Sequence, residues 1–277
     1  MTRSMTAAEK MNFKGLFPML NVDAAVVSGE ATEVYNCIAW TVGVTDKWLW
    51  PGASIASFDT FYRQWGFART NNGPIAAWGS STSAMTHGCI SGSGHGARWE
   101  SKCGQSLRIQ HGLTELEGSS YGRVVAFYSE STTAAPFAEL MAKSAKTKDK
   151  RAMKLTSSQM SLLKESVAGV PKDLQLNFES AFSAWKKTWF EGGLAINSDP
   201  HSRARGKDFD VLVSLGPSTL PLVVQMLAHE ENFFALVLYD VLQSDARLVV
   251  QYEADDPRIL RGEQGRAAAV VKVWLAR

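Results

Sequence analysis

The stretch Tyr35–Val44, YNCIAWTVGV, decides how the rest of the chain is read. Asn36 stands ahead of an apolar block, and an asparagine side chain there accepts from the unpaired N–H groups of a first helical turn, so Cys37 falls in that turn. Gly43, two turns on, is a natural stop. The placement has chemical weight because only a thiolate attacks a carbonyl. Unpaired first-turn N–H groups and the helix dipole favour that form, lowering the thiol from its free value of roughly 8.5.

A thiol nucleophile then needs a base, and a histidine on a facing strand serves best, accepting the proton and later returning it to the leaving group. Beyond SFDTFYRQWGF (57–67), an amphipathic helix with Phe58, Phe61, Tyr62 and Trp65 on one side and Gly66 at its end, three segments have strand character. These are GPIAAWG (73–79), AMTHGCIS (84–91) and GARWESK (96–102), the last two joined by the glycine-rich GSGHG (92–96) as a hairpin. GRVVAFYS (122–129) closes the region as another strand. His87, on the strand before the hairpin, is the natural base. A third polar group must hold its other ring nitrogen, and the next strand supplies Ser101, the preferred choice, and Glu100. Asn36 acts as an oxyanion donor or, more simply, as the helix cap. His95 is expected to be exposed in the turn. His111, after a helical or loop segment, is expected at most to shape the site mouth, and Cys103 to be a plain buried residue.

Two resemblances bear on these residues. THGC (86–89) resembles the end of the L,D-transpeptidase signature, which implies an alternative nucleophile, Cys89, acting on peptidoglycan stem peptides. The histidine which that signature carries upstream is missing, and Ser91 and Gly92 stand where an Asn or Arg should follow. The order of a cysteine on a helix start, a histidine on a strand and a polar residue on the next strand resembles the papain-like cysteine hydrolases. More closely, YNCIAWTVG, MTHG, RWESKCGQSLRIQH and YGRVVAFY are similar to a group of uncharacterised bacterial domains of that fold, over roughly Asn21 to Tyr128.

The resemblance implies an α+β, papain-like catalytic domain with a helix-borne cysteine and an antiparallel sheet. Aligning SKCG with the Asn-Ser-Trp-Gly run of the peptidases puts Ser101 in the asparagine position, where a hydroxyl replaces an amide. Asn36 precedes Cys37 directly where the peptidases carry a glutamine. The implied activity is a thiol-dependent hydrolase or acyl transferase, a peptidase or amidase, acting on an amide, peptide or isopeptide bond of a peptide or protein substrate. No metal and no organic cofactor is called for.

Further along, the texture changes. The basic KSAKTKDKRAMK (143–154) has the look of a solvated linker, and from Pro171 the apolar residues recur at helical spacing, in LQLNFESAFSAWKKTWF (174–190) and three later stretches. The expected organisation is an N-terminal segment over 1–20, the hydrolase domain over 21–130, a basic linker over 131–170 and a helical domain over 171–277. Pro217 and Pro221 punctuate helix starts. AHEENFF (228–234) lacks a second histidine four residues after His229, so it is no zinc motif.

At 277 residues, 45% hydrophobic and 20% charged, the chain has ordinary globular composition, and a net charge of +2 suggests neither a nucleic-acid nor an anionic-membrane partner. No membrane span and no cleaved leader is expected at the N-terminus, where Pro18 breaks a short apolar patch. Three scattered cysteines are too few and too irregular for a disulfide framework, so reduced thiols are expected, in the cytoplasm or in a protein exported by a leaderless system. The resemblance to the papain-like hydrolases, with a helical module added, further implies a bacterial effector or toxin whose helical part serves delivery, recognition or the binding of an immunity or adaptor protein. The competing reading is a non-catalytic interaction protein that binds its partner through the helical domain.

Overall fold

A computed structural model describes residues 2–92, 98–131 and 155–277. Residues 93–97, with His95 and the expected hairpin turn, and the whole of the basic run lie outside the described residues. The chain divides into two compact units. One draws its described residues from 2–131, 192–199 and 253–260, and the other from 155–191, 200–252 and 261–277.

The first unit contains, in chain order, β1 (Arg3–Ser4), α1 (Ala7–Leu16), β2 (Val26–Gly29), α2 (Cys37–Thr41), α3 (Ile55–Gln64), β3 (Phe67–Thr70), β4 (Ile75–Ser81), β5 (Ala84–Ser91), β6 (Trp99–Lys102), β7 (Arg108–His111) and β8 (Arg123–Glu130). Among the described residues these strands form one eight-stranded sheet in the order β1-β2-β7-β6-β5-β4-β8-β3, with every neighbouring pair antiparallel. Both faces are covered, so the central strand β4 is apolar at successive positions rather than at alternate ones. Ile75 and Ala77 face a cluster with Ile38, Phe58, Phe61, Tyr62 and Trp65 from α2, α3 and the residue after it. Ala76 and Trp78 face the opposite way, with Phe13, Phe17 and Leu20 packed in the same cluster. The β4–β5 register sets Trp78 opposite His87 and Ala77 opposite Gly88, which puts the histidine ring and the Gly88 position on opposite faces.

The helices and strands around YNCIAWTVGV follow the sequence, with Asn36 capping α2 and Ser54 capping α3. Three features go beyond it. The expected N-terminal segment is no appendage, because α1, held by a Thr6–Glu9 capping box, contributes Phe13 and Phe17 to the sheet's core. Of the expected helical or loop segment before His111 the structure has the loop, a turn over 103–107, and RIQH itself is the strand β7, with Ile109 and His111 buried between neighbouring strands. The short strands β1, β2 and β3 carry too few residues to show a period in the sequence.

The second unit begins with α4 (Ser157–Ala168) and α5 (Lys172–Thr188). Helix α4 lies inside the stretch expected to be linker, where its own capping box of Thr156 and Gln159 sets its start. Next comes α6 (Gly192–Ile196), which with 197–199 is part of the sheet unit, so the linear boundary at 171 is crossed. The helical unit resumes with α7 (Lys207–Ser214), α8 (Leu220–Leu227), α9 (Leu236–Leu242) and α10 (Gly262–Leu275). In α5, Phe178, Phe182 and Trp185 recur at spacings of four and three and are buried with Trp189, whose ring lies edge-on to Trp185 at 4.8 Å. Arg203 is fully buried, its guanidinium 3.6 Å from the ring of Phe234.

Candidate functional site

Helix α2 is short, and its placement rests on two residues. Asn36 is extended, and its Oδ1 accepts from the N–H of Ala39 at 3.1 Å, which closes the first turn, and from that of Leu49 at 3.3 Å. Its Nδ2 donates to the Leu49 carbonyl at 2.7 Å, so the side chain is engaged as a cap and a tie rather than free to donate to a substrate. Gly88 is the second residue. A Cβ there would stand 3.1–3.2 Å from Tyr62 Oη, Ile38 Cδ1 and Thr41 Cγ2, so its absence lets α2 lie flat on β5. Strands β5 and β6 pair at Ile90 and Ser91 only, and the Gly88 N–H is directed to Cys37 Sγ, as is that of Ile38.

His87, Ser101 and His111 lie on three adjacent strands and are joined through one hydroxyl. Ser101 Oγ is 2.8 Å from His87 Nε2 and 2.8 Å from His111 Nε2, and His111 Nδ1 is 2.7 Å from the Gly112 carbonyl. The direction of every bond follows from that carbonyl, which can only accept. His111 therefore carries its proton on Nδ1. Burial pushes its imidazolium form down to about 4, so it is neutral and its Nε2 accepts. Ser101 must then donate to His111, and its remaining acceptor capacity takes the Nε2–H of His87. His87 is left as the Nε2–H tautomer with the lone pair of Nδ1 unused, and among the described residues this buried nitrogen has no hydrogen-bond partner. A histidine ready to accept a proton through Nδ1 is what a neighbouring thiol requires.

The ring is held firmly in other ways. Tyr121 stacks on it at 3.9 Å and 7°, and Trp78 stands edge-on at 6.0 Å. Cys37 Sγ lies beside the peptide that joins His87 to Gly88, whose N–H is directed to it. No hydrogen bond joins Sγ to the His87 ring: Sγ is instead 3.0 Å from Ser198 Oγ.

Burial overrides the expected helix effect on the thiol. Cys37, His87, Ser101, His111 and Ser198 are all 0% exposed. Desolvation pushes Cys37 up to about 11, against the pull of the Ser198, Gly88 and Ile38 hydrogen bonds and of the Lys102 charge. A five-residue helix has too few aligned peptides to reverse this. Desolvation likewise pushes His87 well below its ordinary value, with His111 adding to the shift. In this closed form the pair is thiol and neutral imidazole.

Of the two groups proposed to orient His87, the structure sets Ser101 on the ring, whereas Glu100 points from the neighbouring position of β6 to Arg108, at 3.2 Å. Cys89 is buried among Trp78, Cys103 and Ile109, where desolvation pushes its thiol up further than that of Cys37. Cys103 is buried in a turn beside β6. Two members of the site, Tyr121 and Ser198, escaped the sequence, and His111, expected at most to shape the site mouth, is a member of the relay. For His111 a signal existed, since reading RIQH as a strand puts the histidine two residues from Ile109, the partner of Ser101. For Ser198, which lies 161 residues from Cys37, none did. Among the described residues no group of three or more His, Cys, Asp or Glu is placed to hold a metal ion.

Residues 26–129 match a family described as Domain of unknown function (DUF7689), which spans β2 to β8 and so includes Cys37, His87, Ser101 and His111. No curated protein and no solved structure matches the chain. Among the described residues no single helix is long and apolar enough to cross a membrane.

Proposed function

We propose that the sheet unit is a thiol-dependent hydrolase or acyl transferase of papain-like design, acting on an amide, peptide or isopeptide bond. The observation that carries this reading is the tautomer of His87. A relay ending on the Gly112 carbonyl holds its Nε2–H and leaves Nδ1, among the described residues, as a buried, unpartnered acceptor, one peptide away from the Gly88 N–H that is directed to Cys37 Sγ. Cys37 Sγ–H transfers its proton to His87 Nδ1 as Sγ attacks the substrate carbonyl carbon. Ser101 accepts from the imidazolium's Nε2–H, and the N–H groups of Gly88 and Ile38 support the thiolate before attack. His87 returns the proton to the leaving amine, and water or a second nucleophile then takes the acyl group from sulfur. Ser101 stands where the peptidases carry asparagine, and His111 gives its hydroxyl the direction that an amide oxygen has by itself.

A non-catalytic interaction protein is the second reading, favoured by the complete burial of Cys37 and its raised thiol. Alkylation separates the two. Limiting iodoacetamide across pH, with mass-spectrometric mapping, should label Cys37 ahead of Cys89 and Cys103 near neutral pH, and His87→Ala should abolish the preference. Slow labelling of all three cysteines, unchanged by His87→Ala, supports the interaction protein instead.

A further inference from the structure

A nucleophile with no exposed surface cannot meet a substrate, so something must leave the space above it. The segment 194–199 fills that space. It belongs to the sheet unit in space although in sequence it stands between two stretches of the helical one. It is α6's last turn and the three residues after it, and a helix that ends leaves its final carbonyls without intrahelical partners. Here those carbonyls are taken by groups around Cys37. The Gln105 N–H donates to the Ala195 carbonyl at 2.7 Å, and the Tyr121 hydroxyl donates to that of Ile196 at 2.9 Å. The Trp48 indole donates to the carbonyl of Ser198 at 2.8 Å, while the Ser198 hydroxyl meets Cys37 Sγ. Ile196 is buried in the cluster with Trp78, Cys103 and Tyr121. Gly104, in the left-handed region at φ +52°, lets the segment approach so closely that a Cβ there would fall 2.5 Å from the Ile196 carbonyl carbon.

These contacts amount to three N–H or O–H donors, one apolar pocket and a nucleophile, all engaged by one short run of peptide. We propose that the space filled by 194–199 is the binding site for a polypeptide substrate, and that this segment occupies it as an intramolecular competitor. The proposal rests on Cys37 being the nucleophile. A polypeptide fits because its carbonyls are spaced to replace those of Ala195, Ile196 and Ser198, and an apolar side chain replaces Ile196. A ligand without carbonyls leaves three buried donors unpaired, which is costly. Withdrawal of the segment also readmits water to Cys37 and His87, which removes part of the desolvation that holds both neutral. Cys37 is then free of Ser198 and can turn to the unused Nδ1 of His87.

The test reads access to a thiol rather than turnover. Gly104→Ala forces the segment away by collision with its backbone, and Ile196→Ala removes its apolar anchor, so each variant tests the same event by a different route. Cys37 alkylation is followed at pH 9, in the otherwise native chain and again with His87→Ala. At this pH the reading of His87 as base is not needed for labelling, so failure of that reading leaves this measurement intact. Each variant should label Cys37 at least tenfold faster than the native chain, with Cys89, held in the strand β5, unchanged as the internal marker of global unfolding. A capped hexapeptide with the sequence of 194–199, Leu-Ala-Ile-Asn-Ser-Asp, should then slow labelling in the Ile196→Ala variant back toward the native rate. Native-like labelling in both variants overturns the proposal. So does a parallel rise at all three cysteines, or a peptide at millimolar concentration that gives no protection.

Discussion

Replacing Ser101 by alanine removes one oxygen and orphans two imidazoles. His87 Nε2–H loses its acceptor and His111 Nε2 its donor, both fully buried and each 2.8 Å from the oxygen deleted. A buried polar group deprived of its partner costs about 1–3 kcal/mol, so the two together should cost the sheet unit about 2–6 kcal/mol, a large share of the stability of a typical domain. The loss should appear in urea unfolding followed by amide hydrogen exchange of β5 and β6, which isolates the sheet unit from the helical one. A second consequence is chemical. Freed from the relay, His87 can adopt the Nδ1–H tautomer, which cannot accept a thiol proton, so the preferential alkylation of Cys37 near pH 7 should fall toward the His87→Ala level. A stability loss under about 1 kcal/mol with an unchanged labelling profile would refute both the bond directions and the role of His111 derived from them.

Three further outcomes are expected. Acid should destabilise the sheet unit early, because His87 and His111 are held neutral in the fold but bind protons when unfolded. With both shifts downward, the unfolded chain binds more protons, so stability falls as pH drops below about 6.5, by about 1.4 kcal/mol per pH unit for each histidine. The His111 contribution should level off near its native value of about 4, and a flat urea midpoint from pH 7 to 5 would contradict it. Gly88→Ala should cost about 1–3 kcal/mol by pressing α2 off β5 at Ile38 and Thr41, measured by thermal unfolding, and a neutral effect would show that the contact relaxes freely. In the helical unit, Arg266→Met leaves the part-buried Asp240 and Glu263 without their shared cation and should cost about 1–3 kcal/mol, read as a lowered urea midpoint for α9 and α10 that mild acid partly restores by protonating Glu263, whose carboxyl is pushed up by burial.

What the sequence determined by itself is what local geometry decides. An asparagine followed by apolar residues makes a helix start wherever it is placed, so Cys37 in a first turn was legible. So were the strands carrying His87 and Ser101, whose apolar runs and flanking glycines need no distant partner to be recognised. The helical half was legible from its spacing, as in Phe178, Phe182 and Trp185. What only the tertiary structure decided depends on which strands lie side by side and on what excludes water. His111 enters the relay because β7 pairs with β6; RIQH can be read as a strand, but which strand it pairs with is set by the assembled sheet. Cys37 is a neutral thiol because its surroundings are dry, and desolvation belongs to the assembled fold and to no residue within it. Ser198 meets that thiol from 161 residues away, across a chain that leaves the sheet unit and returns, and no pattern along a one-dimensional sequence encodes such a meeting.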